Sequence, residues 1–64
     1  MSSDAAELSA LSSAVDDFVR RVTAIADRYE GTPRDDLLAV LYDAERLLVQ
    51  AARSLTKAER ALGR

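Results

Sequence analysis

Residues 29–38 read Tyr-Glu-Gly-Thr-Pro-Arg-Asp-Asp-Leu-Leu (YEGTPRDDLL). The stretch lies at the middle of a 64-residue chain and holds its only proline and one of its two glycines. Each residue type in it suits a helix end. Gly31 can take the left-handed backbone conformation that closes a helix after Glu30, at little steric cost. Thr32 offers a hydroxyl to cap a second helix, and Pro33 fits the first helical position, where its missing N–H is harmless. Asp35 stands three residues after Thr32 as the acidic partner of a capping box. Asp35 and Asp36 also set negative charge beside the positive end of that helix's dipole. A stop signal followed at once by a start signal predicts a hinge between two helices.

The flanking segments carry the matching periodicity. Before the hinge, Leu8, Leu11, Val15, Phe18, Val22, Ile25 and Tyr29 recur at alternating spacings of 3 and 4, the seam of a helix that lies along a partner helix. Ser3 or Asp4 is expected to cap this helix, with Glu7 reaching back to free backbone N–H groups. It should run over about residues 4–29. After the hinge, Leu37, Leu41, Ala44, Leu48, Ala51, Leu55, Ala58 and Leu62 repeat the pattern, which predicts a second helix over about 33–62. Two helices of similar length joined by a short turn pack as an antiparallel hairpin. A turn centred near residues 31 and 32 pairs positions whose numbers sum to about 63, which sets Val15 near Leu48 and Leu8 near Leu55. The expected fold is therefore all-α: one domain over residues 1–64, an antiparallel two-helix hairpin that dimerises into a four-helix bundle.

Composition narrows the chemistry. The chain contains no cysteine and no histidine, which removes disulfides, thiol nucleophiles, and the commonest general base and metal ligand. Eleven acidic and nine basic residues give a net charge of −2, which argues against wholesale attraction to nucleic acid or anionic lipid. No apolar run approaches the roughly 20 residues of a membrane span. The first eight residues, MSSDAAEL, lack the basic and apolar regions of a signal peptide, so a cytoplasmic location is expected. There is no phosphate-binding glycine loop and no serine or threonine with a base in reach. The sequence thus offers no catalytic residue, no cofactor site and no metal site, and points to a non-enzymatic protein.

What remains is a surplus of apolar surface on the second helix. Leu38, Tyr42, Val49 and Ala52 form a stripe beside the seam, with Glu45 among them as a carboxylate at an interface edge. Val40 and Leu47 widen the other flank, and Val19 and Ala26 fall outside the seam of the first helix. A hairpin has no third layer to cover this surface, and large apolar patches are seldom left exposed. A homodimer of hairpins closed by a two-fold axis would cover it, with Leu38, Tyr42, Glu45, Val49 and Ala52 as the interface. A helix from another protein could occupy the same groove. Either way the chain reads as an adaptor, scaffold or small regulatory subunit.

A second reading rests on charge. Arg46, Arg53, Lys57, Arg60 and Arg64 line the outer face of the second helix, a possible anion-binding stripe that would suit a small regulator of nucleic acid or the transcription machinery. No aromatic residues are interleaved for base stacking, and Asp4, Glu7, Asp16 and Asp17 of the first helix should run alongside. A solvated, partly neutralised face is the expectation, and nucleic acid is not the expected partner.

Overall fold

The computed structural model describes residues 3–63. They form two helices, α1 (Ser3–Tyr29) and α2 (Asp35–Leu62), that pack antiparallel along their length. At 27 and 28 residues each is about 40 Å long, and the hairpin measures 50 × 14 × 10 Å. Its thinnest dimension is that of a single helix, so the molecule is one layer thick. Ser3 and Asp4, the expected caps of α1, both already lie within the helix.

The hinge keeps its position but divides its residues differently from the sequence expectation. Gly31 has a φ of +78°, the left-handed conformation that ends α1. Thr32 does not open the second helix. Its hydroxyl donates to the Tyr29 carbonyl at 2.6 Å, and its N–H donates to the same oxygen at 3.1 Å. The last carbonyl of α1 is thus met by the residue expected to cap α2. Pro33 consequently lies in the connection, and α2 begins at Asp35, two residues later than expected. Arg34 occupies the cap position without a side-chain cap hydrogen bond, and no Thr32–Asp35 capping box forms. The Arg34 side chain instead donates to both carboxylate oxygens of Asp36, at 3.1 and 3.4 Å. That contact, and next the Leu37 backbone N–H, hold the Asp36 carboxyl below its usual value.

An added Cβ at Gly31 would meet nothing within 4 Å, so the backbone alone decides the cost of substitution. Gly31→Ala should lower stability by about 1–2 kcal/mol. Gly31→Asn should lose less, since asparagine tolerates this region better. Equal midpoints for parent and alanine variant in chemical denaturation would refute the strain.

The contact between the helices uses a different pair of faces from the expected ones. On α1 the covered row is Leu8, Ser12, Val15, Val19, Val22, Ala26 and Tyr29. On α2 it is Leu38, Leu41, Glu45, Leu48, Ala52, Leu55 and Glu59. Both rows keep the spacing of 3 and 4, and both share every second member with the expected seams. The alternate members differ. Leu11, Phe18 and Ile25 are 48%, 46% and 39% exposed, whereas Ala26 is fully buried and Ala52 nearly so. Each helix is rolled by roughly 50–70° from the expected orientation, at about 100° per residue. Small side chains explain the roll, because alanine and serine at the contact let the axes approach more closely than leucine and phenylalanine would. Ser12 completes the fit: its hydroxyl lies 3.2 Å from Thr56 Oγ1 and 3.5 Å from the Ala52 carbonyl. No buried side-chain polar atom lacks a partner among the described residues.

Candidate docking face

Two broad faces flank the seam, and they differ in chemistry. One joins Ser12 and Asp16 of α1 to Val49, Arg53, Thr56 and Arg60 of α2 around a shallow groove. A second groove on that side is lined by Tyr42, Glu45, Arg46, Val49, Gln50 and Arg53. This face is polar and mixed in charge. Tyr42 donates its hydroxyl to Glu30 across the hinge end, and Arg46 pairs with Asp43 one turn earlier.

The expected interface set is divided by this arrangement. Leu38 and Ala52, 8% and 7% exposed, are covered by α1 inside the hairpin. Glu45 and Val49 are half-buried at the edge of the same seam, and Tyr42 is exposed beside the polar grooves. Of the candidate basic stripe, Arg46, Arg53 and Arg60 lie on the polar face with Asp16 and Glu45, and Arg46 also reaches round the outer side of α2 to Asp43. Lys57 is exposed, and Arg64 lies outside the described residues. No group of three or more potential metal-ligating side chains occurs among the described residues. No helix among them is long and apolar enough to cross a membrane.

The opposite face is apolar over most of its length. Phe18, Val22 and Ile25 of α1 border a depression with Leu48 of α2, edged by Arg21. Leu11 continues the α1 row by one heptad, so Leu11, Phe18 and Ile25 fall at intervals of seven. On α2, residues 37, 40, 44, 47, 51, 55, 58 and 62 follow helical spacing on this side, and every one is Leu, Val or Ala. Val40 and Leu47, 66% and 51% exposed, are its most open large members. The sequence pattern indicates this surplus but sets its main stripe at Leu38, Tyr42, Val49 and Ala52. The roll of α2 moved the open surface round to the Val40 and Leu47 side.

Size gives the face its weight. The hairpin exposes 4785 Å², whereas a compact monomer of its 7.0 kDa would expose about 4,000 Å². Its radius of gyration is 14.9 Å, against about 11 Å for a compact domain of this length. The described residues include no fully buried large side chain. The hairpin has the proportions of one layer taken from a two-layer domain. The chain matches no protein-family model, no curated protein and no solved structure.

Proposed function

We propose that the protein is a non-enzymatic helical interaction module, an adaptor or small regulatory subunit, that works by pairing with a second copy through its apolar face. The observation that carries this reading is the continuous apolar surface formed by Leu11, Phe18 and Ile25 of α1 with Val40, Leu47 and their neighbours on α2. A face of this kind is covered in functioning proteins by another apolar layer. The exposed area beyond that of a compact monomer is several hundred Å². That is close to the roughly 800 Å² that each partner contributes to a stable interface.

The test is a mass measurement by light scattering or analytical ultracentrifugation. The parent should sediment as a dimer at micromolar concentration. Phe18→Asp combined with Leu47→Asp should give a monomer with reduced helicity, because four carboxylates would be buried unpaired across a two-fold. Tyr42→Ser, on the polar face, should remain dimeric. A parent that is monomeric and stably helical at high concentration overturns the self-association and directs attention to a helix of another protein.

A further inference from the structure

Resting on that reading, we infer that the two hairpins pair about a two-fold axis parallel to the helices, so that α1 lies on the partner's α2 and both hinges sit at the same end. The carrier is a match of charges along the borders of the apolar face. On α1 the row outside Leu11, Phe18 and Ile25 is Glu7, Ala14, Arg21 and Arg28, each three or four residues from its apolar neighbours. On α2 the row outside Val40 and Leu47 is Asp36, Asp43, Gln50 and Lys57. The hairpin's own register comes from Ser12 and Ala52, whose contact sets opposed positions at a sum of 64. Arg21 is then level with Asp43, Arg28 with Asp36, Ala14 with Gln50, and Glu7 with Lys57.

Within one hairpin these two rows are the far edges of the apolar face, two helices apart. Arg21 and Arg28 form no ion pair among the described residues. An axis parallel to the helices preserves every level and turns the far edge of α2 of one copy onto the far edge of α1 of the other. Each arginine then meets an aspartate, and the two neutral residues meet each other. The same rotation sets Phe18 beside the partner subunit's Leu47 and Ile25 beside the partner subunit's Val40, so the exposed large side chains of α1 meet the two most exposed ones of α2. All neighbouring helices run antiparallel, as four-helix bundles favour.

The rival symmetry has its axis across the helices, stacks α1 on α1 and α2 on α2, and sends the hinges to opposite ends. With its axis near the level of Phe18 it keeps Glu7 against Arg28 and Asp36 against Lys57 but leaves Arg21 facing alanine and Asp43 facing glutamine, so it forms fewer opposite-charge pairs. The internal pairs of Asp36 with Arg34 and of Asp43 with Arg46 are exposed and local, and a carboxylate accepts more than one guanidinium N–H. They do not compete with the arrangement.

Two measurements on the full chain test it. The chain contains no cysteine, so Ala6→Cys, at an exposed site near the open end of α1, takes a single spin label. In the inferred dimer the two labels share one end and should lie within about 25 Å, given helix axes about 10 Å apart. In the rival they are displaced along the bundle by roughly 36 Å, twice the 12-residue distance from Ala6 to the level of Phe18. The second measurement is a charge exchange. Arg21→Asp alone and Asp43→Arg alone should each weaken the dimer about tenfold, since the two-fold doubles every contact. Together they should restore the parent dissociation constant to within about twofold. A short label distance with restoration is the expected result. A dimer with the long distance, or one in which the double exchange fails to restore affinity, overturns this arrangement and leaves self-association standing. A monomer at every concentration overturns the pairing reading itself.

Discussion

Ala26→Asp should abolish cooperative folding, while Ala24→Asp, two residues earlier on the same helix, should leave the melting curve almost unchanged. Ala26 has no exposed surface at all and lies where α1 and α2 come together, whereas Ala24 is open to solvent. A carboxylate at position 26 has two outcomes: an unpaired charge in an apolar contact, or helices forced apart until water reaches it. Burying a charge without a partner costs several kcal/mol, and a 64-residue domain has only about 3–10 kcal/mol of stability in total. The fold therefore cannot absorb the change. At an exposed helical position the same substitution costs no more than the lower helix propensity of aspartate, about 0.5 kcal/mol. Circular dichroism during thermal melting at one fixed protein concentration separates the two variants. If both melt alike, α1 does not present its Ala26 side to α2, and the roll described above is wrong.

The position of that roll marks the boundary of what the sequence made legible. Two long helices and a hinge at Gly31 followed from apolar periodicity and from one residue that tolerates positive φ. Those signals are local, and the structure has both. The orientation of each helix about its own axis was not local. On α1, two tracks of spacing 3 and 4 share Leu8, Val15, Val22 and Tyr29, and hydrophobicity selects Leu11, Phe18 and Ile25 as the alternates. Close approach of two helices selects Ser12, Val19 and Ala26 instead. Hydrophobicity measures what needs covering, but a hairpin has only one partner per helix and covers the surfaces that can come nearest. The signal that would have identified the true seam is the polar pair Ser12 and Thr56, about one turn apart in level and small enough to hydrogen-bond across it. At the hinge, likewise, Thr32 could serve either helix, and its hydroxyl goes to the Tyr29 carbonyl already within reach. Of the candidate site, the apolar surplus was legible from composition. The face that bears it was not, because its location depends on the same roll.

Adjacent leucines at the start of α2 give the second large contrast. Leu38→Ala should cost about 2–5 kcal/mol as a truncation in a contact that cannot collapse around the gap, whereas Leu37→Ala should cost clearly less. Leu38 is 8% exposed and packed at the hinge end of the seam, and Leu37 is half-buried at the margin of the open apolar face. The sequence pattern alone assigns them the other way round, with Leu37 in the seam and Leu38 facing a partner. Concentration adds an independent readout. Loss of a residue inside the hairpin lowers the stability of each chain and shifts the denaturation midpoint by a similar amount at low and high protein concentration. Loss of a residue on the docking face weakens association, so its effect changes with concentration by mass action. Leu38→Ala is thus expected to show a large penalty that is nearly independent of concentration, and Leu37→Ala a smaller one that grows toward a plateau as the protein is concentrated and its dimer forms. The reverse order of magnitudes would place Leu37 against α1. It would also return Leu38 to the outer surface and move the docking face back toward Tyr42 and Val49.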